Sequence, residues 1–252
     1  MAEPHSAISL SVQRQHGAAI VTADGLLDTF TYRSLRDTVI KAALDEPSAV
    51  IVDVNRLSVP SATAWSVFTS ARWHVSIWPN IPILLVSKDI EVRRAIAASG
   101  VTRYVPVHAS RGAALDATAK LSLNGRLRAR SELPRSSVSI RLGRTMIDEW
   151  LTAWSEVPLI PVAATVATVF IENVLEHTES APVLIVENSQ RTLTVAVEDC
   201  SLQPATRHED AGRGIDIVSG LSIVSALSRT WGSTPTSFGK TVWALVGREN
   251  RL

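Results

Sequence analysis

Two short and almost continuous apolar runs, at residues 49–54 and 82–86, constrain what the first half of the chain can fold into. A strand whose successive residues are apolar has no polar face, so it is buried on both sides of a sheet. Around these runs, apolar residues recur three and four positions apart in residues 28–45, 64–71 and 90–98, as in helices with one buried face. The pattern predicts an α/β domain with helices packed on a mixed sheet.

The remaining segments of this half fit the same architecture. Residues 8–12 and 19–22 are typical of an early hairpin that turns at Gly17. Residues 104–107 favour a short strand, and residues 110–121 favour a closing helix. The predicted order is therefore β-β-α-β-α-β-α-β-α.

This order, with the segment 51–64 in its middle, resembles the STAS domain of anti-anti-sigma factors and sulfate-transporter tails. The resemblance covers residues 7 to about 120, and Asp53 matches the aspartate at the end of that family's central strand. It implies a domain that binds partner proteins, and in which a partner kinase phosphorylates a serine at the start of the central helix.

The chain departs from this family at the phosphorylated position. The family has Asp-Ser-Ser/Thr-Gly there, whereas this chain has Ser61, Ala62, Thr63 and Ala64, and Ala62 has no hydroxyl to accept a phosphate. Ser61 and Thr63 remain as alternative acceptors, although a helix N-cap role explains Ser61 without any kinase. We interpret Ser61, Ala62 and Thr63 as the partner-binding equivalent of the phosphorylated loop.

Composition and charge limit the classes of function. The chain has 252 residues, of which 46% are hydrophobic and 19% charged, so a disordered chain is excluded and two domains are expected. The net charge of +1 gives no reason to expect direct binding of nucleic acid. A single cysteine, no signal-peptide pattern and no apolar run that approaches membrane-spanning length predict a cytoplasmic protein without a membrane partner.

A segment rich in Gly, Pro and charge separates the two predicted domains. We place the STAS-like domain at residues 1–122, a linker at 123–136 and the second domain at 137–252. In the linker, arginines alternate, so an extended backbone would put them on one side; they are Arg126, Arg128 and Arg130.

The second domain is predicted to be α+β. Helical spacing marks residues 144–154 and 162–178, and a strand hairpin follows at 183–187 and 193–198. A third helix at 215–227 and a last strand from Gly239 complete this order, which is typical of a layer of helices on a sheet.

Two polar residues interrupt the second of these helices. Val166, Val169, Phe170 and Val174 form its apolar stripe, whereas Asn173 and His177 are four apart and share another face. A buried amide needs hydrogen-bond partners, which suggests a ligand. The alternative is that Asn173 bonds neighbouring backbone and His177 caps the last turn.

Further along the chain, Asp199 ends a strand, a Gly-Arg-Gly turn opens a helix at 212–214, and Thr241 enters the last strand. This order, together with Trp231-Gly232 and the segment 239–243, resembles the ATP-binding domain of histidine kinases, gyrase-type ATPases and, most of all, bacterial anti-sigma serine kinases. The resemblance implies a Bergerat (GHKL) ATP-binding α/β sandwich.

The same resemblance implies ATP and Mg²⁺ as cofactors. Asn173 would be the Mg²⁺ ligand through its carbonyl oxygen, and Asp199, supported by the Thr241 hydroxyl, would accept the adenine amine. The paired glycines and the helix start behind them suit phosphate, with Arg213 adding charge. The implied ATP-binding residues are Asn173, His177, Asp199, Gly212, Arg213, Gly214, Lys240 and Thr241.

Two departures argue against catalysis. The general base of these kinases is a glutamate four residues before the motif Asn, and here that residue is Val169. Glu172 and Glu176 are poorly placed to replace it, so the catalytic residue is unknown. In addition, Ser201 stands where the family has a glycine close to the nucleotide.

The sequence therefore predicts a regulator in a bacterial sigma-factor partner-switching system, with a STAS-like domain and a degenerate kinase-like domain. Expected partners are a sigma factor or anti-sigma and anti-anti-sigma proteins, with an intramolecular or homodimeric contact between the two kinds of domain. Two alternatives stay open. One is an active serine/threonine kinase that phosphorylates an anti-anti-sigma factor, or Ser61 or Thr63; the other is a scaffold that binds no nucleotide.

Overall fold

The computed structural model describes residues 7–123, 126–189, 192–202, 220–236 and 238–250, with the side chains of 121–123 and 126 left aside. The chain divides into two compact units, Met1–Asn124 and Gly125–Leu252.

The first unit contains a five-stranded mixed sheet whose spatial order follows the chain. Its strands are β1 (Ile8–Gln15), β2 (Ala18–Leu26), β3 (Val50–Ser58), β4 (Ile83–Val86) and β5 (Val107–His108). β1 and β2 form the predicted antiparallel hairpin, and every later pair is parallel. The prediction of a mixed α/β sheet is confirmed.

Helices cover both faces of this sheet. They are α1 (Tyr32–Leu44), a short 3-10 helix (Ala62–Trp65), α2 (Ser66–His74), α3 (Ile90–Ala98) and α4 (Arg111–Leu123). Helices α1, α2 and α3 share one core with alternate residues of β3 and β4, whereas Ala114 of α4 packs with Ile51 and Leu84 on the other face. The two apolar runs are thus buried on both sides, as their composition predicts.

The second unit contains a five-stranded antiparallel sheet in the order β6-β7-β8-β10-β9. Its strands are β6 (Arg126–Glu132), β7 (Val183–Ser189), β8 (Thr192–Asp199), β9 (Thr230–Pro235) and β10 (Lys240–Gly247). The helices are α5 (Val138–Ala153), α6 (Ile160–His177), which follows a 3-10 turn at Val157–Leu159, and α7 (Gly220–Leu227).

The helices of this unit form a layer on the sheet. Helix α6 lies against β8 and β10, and both α5 and α7 pack on α6. One core joins α6 to every second residue of the two central strands, with Val195 and Val197 from β8 and Val242 and Ala244 from β10. Because side chains alternate between the two faces of a strand, these residues define the face of each strand that packs against the helices.

Half of the segment interpreted from sequence as a linker, residues 123–136, is a strand. Arg126–Glu132 forms β6, which pairs with β7 along its whole length. Arg128 and Arg130 do lie on one side of the strand, where they pair with Glu187 at 3.2 Å and Glu198 at 2.9 Å. These ion pairs attach the charged strand to the sheet that it borders.

The expectation that no apolar run approaches membrane-spanning length was wrong. The helical segment Val157–His177 is long and apolar enough to cross a membrane by length and composition, with a mean hydropathy of 1.7. However, 56% of its most apolar window is buried inside the protein, where α6 supplies the core of the second unit. The apolar character of this segment is therefore used for packing.

Candidate functional site

A row of side chains crosses the carboxyl edge of the parallel strands in the first unit. Thr22 pairs with Asp53, Asp53 with Val86, and Val86 with His108, so the four residues lie side by side on four strands. Arg111, at the start of α4, donates from Nε to Asp53 Oδ2 at 2.8 Å and from Nη2 to Thr22 Oγ1 at 3.3 Å. The row joins α4 to the sheet.

The Asp53 carboxylate is the centre of this row. Its Oδ1 atom accepts from the backbone N–H and the side-chain amide of Asn55, at 3.1 and 2.6 Å. Burial alone raises the pKa of the Asp53 carboxyl, but the hydrogen bonds from Asn55 and Arg111 outweigh it and hold the pKa below its ordinary value of 3.8. Asp53 is thus an ionised, buried anchor for the loops around it.

The loop that follows β3 is exposed at the same edge. Ser61, Ala62 and Thr63 are all exposed, and Trp65 after them is buried in the core. The Ser61 side chain makes no capping hydrogen bond, contrary to the N-cap expectation, although Ser61 occupies the N-cap position of the 3-10 helix. Its hydroxyl instead lies 2.8 Å from that of Thr63. The loop therefore presents a pair of hydroxyls on either side of Ala62.

An exposed aromatic residue near this loop was not identified from the sequence. The Phe30 side chain is 82% exposed in the connection between β2 and α1. Asp28 Oδ1 accepts from the backbone N–H groups of Phe30 and Thr31, which fixes that connection. The Tyr32 hydroxyl, two residues on, lies 3.4 Å from that of Ser66 at the start of α2. A large apolar residue between turn formers was the signal that could have revealed Phe30.

In the second unit, the two polar residues of α6 occupy different environments. Asn173 is half-buried, and among the described residues its amide makes no hydrogen bond, so the backbone partner expected for it is not found. His177 is exposed, with Nε2 at 3.9 Å from Glu176 Oε2. Thr178 ends the helix instead, by donating from Oγ1 to the Val174 carbonyl at 2.8 Å. The alternative in which His177 caps the last turn is therefore wrong.

Val169, which stands where the resemblance to kinases expects a general base, lies in a packed interface. Val169 is 6% exposed and belongs to the core of the second unit. Gly220, the first residue of α7, lies so close that a Cβ atom on it would be 2.9 Å from Val169 Cγ1. Helix α7 thus covers the place from which a base would have to act.

Asp199 and Lys240 form a buried ion pair where β8 ends and β10 begins. The Lys240 Nζ atom lies 3.0 Å from Asp199 Oδ1, and the two residues are 8% and 4% exposed. The same Oδ1 atom accepts from the backbone N–H of Ser201 at 2.7 Å. The carboxylate that was expected to accept the adenine amine therefore already has two donors from its own chain.

Thr241 does not join Asp199, contrary to the expectation from sequence. The register pairs Asp199 with Lys240 and Glu198 with Thr241, and side chains alternate between the two faces of a sheet. Asp199 and Lys240 lie on the helix-covered face, as Val197 and Val242 do, so Thr241 lies on the opposite face. Its hydroxyl is buried and has no hydrogen-bond partner among the residues that the structure describes.

The remaining expected residues, Gly212, Arg213 and Gly214, lie outside the described residues. In the part of the chain that the structure describes, Asp199 and Thr241, the residues expected to bind the adenine amine together, lie on opposite faces of the sheet.

Comparison with known proteins identifies the first unit. The family description "STAS domain" matches residues 9–114. The anti-sigma-F factor antagonist RsfA, from two strains of Mycobacterium tuberculosis, is 30% identical over 115 residues, which are 45% of this chain and 89% of RsfA.

The solved structures that match cover a similar share of this chain. An anti-sigma factor antagonist from Mycobacterium paratuberculosis is 18% identical with a TM-score of 0.40, and the match covers 47% of this chain and 99% of that one. The Bacillus cell fate determinant SpoIIAA in its phosphorylated form is 16% identical with a TM-score of 0.32, covering 44% of this chain and 98% of that one.

The match to RsfA includes nearly all of that protein. The mixed sheet of the first unit lies within the residues that the STAS description matches, apart from Ile8 at its start. Through its first unit, the chain belongs to the family of STAS-domain proteins, among which its relatives are antagonists of anti-sigma factors.

Proposed function

We propose that the chain is a regulator in a bacterial sigma-factor partner-switching system and that its STAS unit binds a protein of the anti-sigma-factor class. One observation carries the proposal: the STAS unit is 30% identical to an anti-sigma-F factor antagonist along 89% of that protein. A cytoplasmic location belongs to the same proposal, since the transcription machinery that such a regulator serves is there.

The binding surface that we assign is the carboxyl edge of the first sheet. Ser61, Ala62 and Thr63 are exposed there, and the nearby connection from β2 to α1 offers the exposed ring of Phe30. Aromatic residues of this kind contribute much of the binding energy at protein interfaces. Beneath them, the hydrogen bonds between Asp53 and Arg111 keep the edge rigid before a partner arrives.

Phosphate transfer is not the switch at the central position of this surface. Ala62 has no hydroxyl, and introducing charge by phosphorylation requires one. The partner is therefore gained or lost by competition between proteins, with the hydroxyls of Ser61 and Thr63 as secondary candidates for modification.

The second unit, in this proposal, is a degenerate member of the Bergerat (GHKL) class that contacts proteins without transferring phosphate. The packing of Val169 against Gly220 supports the loss of the base, and the engagement of Asp199 by Lys240 supports weak binding of ATP and Mg²⁺. Because the two units are one chain, each is at a high effective concentration for a site on its own or a second copy.

Calorimetric titration of the full chain with each anti-sigma factor from the same genome tests the first unit. We expect one of them to bind, and Ala62→Glu and Phe30→Ala each to weaken binding at least about tenfold, or about 1.4 kcal/mol. Ala98→Glu is the matched control, because Ala98 is also an exposed alanine but ends α3 at the other edge of the sheet. Binding to none of these proteins, or equal weakening by Ala98→Glu, contradicts the proposal.

Incubation with γ-labelled ATP and Mg²⁺ or Mn²⁺ tests the second unit. The proposal expects no label on the chain or on the bound anti-sigma factor. Transfer of label that Asn173→Ala abolishes would instead establish the active kinase.

A further inference from the structure

Two aromatic side chains are exposed side by side on the first unit. Trp73, near the end of α2, is 62% exposed, and Tyr104, in the turn before β5, is 51% exposed. Their ring centroids are 5.8 Å apart, with 54° between the ring planes. The other two tryptophans of this unit, Trp65 and Trp78, are buried. The packing of the unit therefore does not account for Trp73 and Tyr104.

The backbone around these rings is held by local hydrogen bonds. Ile77, four residues after Trp73, is also exposed, and it lies in the turn that follows α2. In this turn Ser76 donates from Oγ to the Trp73 carbonyl at 2.7 Å. The backbone N–H of Tyr104 donates to the Val101 carbonyl at 3.0 Å. Because the backbone is already ordered, a partner that binds these side chains loses little free energy in fixing it.

This surface lies at the amino edge of the parallel strands. Helix α2 begins at Ser66, shortly after the loop of Ser61 and Thr63, and its nine residues carry the chain about 13 Å to His74, on the way to β4. Tyr104 likewise precedes β5. The exposed rings are therefore at the edge opposite the surface proposed to bind an anti-sigma factor.

Arg103 gives the same surface a positive charge. Its side chain is exposed beside Tyr104, and among the described residues no carboxylate pairs with it, whereas Arg94 and Arg111 do pair with carboxylates. The segments that build the surface contain no Asp or Glu in residues 54–88 and 92–115. An unpaired cation beside exposed apolar side chains is complementary to carboxylates that lie beside apolar side chains.

We infer that Trp73, Ile77, Arg103 and Tyr104 form a second protein-docking surface, the amino-edge patch, which binds an acidic segment of a partner protein. Tryptophan, tyrosine and arginine are the residues that contribute most of the binding energy at protein interfaces. The two rings and Ile77 bury the apolar side chains of the segment, and Arg103 pairs with its carboxylates. The inference goes beyond the anti-sigma proposal and does not depend on it, since the two surfaces are at opposite edges.

Charge and composition favour this occupant over two others. In a two-fold dimer through the amino-edge patch, each copy would present the same residues to the other, and none of them is a carboxylate that could meet Arg103. A nucleic acid is bound by several cations along its phosphates, whereas the patch has Arg103 alone, and Ile77 has no ring to stack on a base. An acidic protein segment suits both the apolar side chains and the charge.

Selection from a random library of short peptides, with the full chain as bait, tests the inference. A parallel selection uses a chain that carries both Trp73→Ala and Tyr104→Ala, which are surface changes of small expected effect on stability. We expect the peptides that bind only the wild type to combine Asp or Glu with Leu, Phe or Trp. The inference is overturned if no selected peptide depends on these two residues, or if the dependent peptides lack acidic residues.

Calorimetric titration with the strongest peptide of this kind measures the individual side chains. Trp73→Ala and Arg103→Glu are each expected to raise the Kd at least about tenfold. Phe30→Ala and Arg33→Glu are the matched controls, because they change an exposed ring and an exposed arginine near the carboxyl edge, and they should leave the Kd unchanged. Equal weakening by Arg33→Glu would attribute the effect to the net charge of the unit and contradict the inference.

Two further measurements distinguish the other occupants. In sedimentation, the wild type and Trp73→Ala are expected to have the same mass; a dimer that Trp73→Ala dissociates would assign the patch to a second copy. Labelled single-stranded RNA is expected not to bind through the patch, and binding that Trp73→Ala removes would assign it to nucleic acid. Either result overturns the inference.

Amide hydrogen exchange of α2 checks that each variant is folded. The anti-sigma-factor titration uses changes at Phe30 and Ala62, near the carboxyl edge, so its failure leaves the amino-edge patch untouched. Loss of the peptide contact likewise leaves the anti-sigma proposal intact.

Discussion

Val169 of α6 packs directly on Gly220, the residue at which α7 begins. A Cβ atom on Gly220 would lie 2.9 Å from Val169 Cγ1, so neither position tolerates a larger side chain without a shift. In the proposed function, the two helices meet at the position where an active kinase would have its general base. Restoring the base by one substitution therefore conflicts with the packing.

We expect Val169→Glu to destabilise the second unit and to give no phosphate transfer. An unpaired carboxylate at a position that is 6% exposed costs about 3–5 kcal/mol. Faster amide exchange of α6 measures the loss, and γ-labelled ATP measures the activity. Thr165→Glu, one turn earlier at an exposed hydroxyl, is the control and should cost less than about 1 kcal/mol. A stable, label-transferring Val169→Glu chain would refute this account of α7.

We expect Arg111→Ala to destabilise the first unit by about 1–3 kcal/mol, because it removes the charged partner of the buried Asp53 carboxylate. The pKa of Asp53 lies below its ordinary value of 3.8. The ionised carboxylate therefore contributes fully to the free energy of unfolding above pH 3.8, and this contribution is lost as pH falls through the folded-state pKa. Urea unfolding at pH 7 and pH 3 should therefore differ less in Arg111→Ala than in the wild type. An equal pH dependence in both would remove Arg111 as the cause.

A second pH dependence arises at His108. Burial lowers the pKa of its imidazole below 6.5, and within the described part of the chain the buried Nε2 atom has no hydrogen-bond partner. The neutral His108 ring contributes fully to the free energy of unfolding above pH 6.5, and this contribution is lost as pH falls through the folded-state pKa. We expect amide exchange of β4 to quicken between pH 7 and pH 5, after correction for intrinsic rates, and His108→Gln to flatten this change. If His108→Gln keeps the full change, another group is responsible.

Gly239→Ala tests the close approach of β8 and β10. Its Cβ atom would lie 2.0 Å from the Asp199 carbonyl oxygen and 2.6 Å from Cys200 Cα, both on backbone that cannot rotate away. We expect a loss of about 1–3 kcal/mol in the free energy of unfolding of the second unit. Gly112→Ala, whose nearest neighbour would be 3.9 Å away, should be neutral or stabilising in its helix. Equal stability of the two variants would contradict the steric argument.

The strongly apolar elements were predictable from the sequence, and the weakly apolar strands were not. Residues 49–54 and 82–86 have no polar face, so burial was their one stable solution. In contrast, β6 alternates arginine with apolar residues and has the composition of a linker, and β9 contains Gly232 and Pro235. Strand β6 forms because β7, which is distant in sequence, supplies backbone hydrogen bonds and an ion-pair partner for Arg128. Strand β9 forms because it pairs with β10, which follows it closely in the chain.

Residue types at the candidate site were predictable, but their orientation was not. Asp199 and Thr241 were both identified, yet a shift of one residue in register moves a side chain to the other face of a sheet. The register that places Lys240 opposite Asp199 depends on pairing between β8 and β10, and these two residues are 41 positions apart in the sequence. Similarly, nothing in the sequence distinguished a capping role for Ser61 from its contact with Thr63.

The border position of β6 determines where the chain can be cut. A fragment that starts at the predicted second domain, residue 137, lacks β6 and leaves the backbone edge of β7 without its neighbour, with Leu184 and Val186 beside it. An open edge of this kind recruits strands from other molecules, so such a fragment would tend to aggregate. Truncation between residues 124 and 125 keeps both sheets whole and is the division that separates the two units for individual assays.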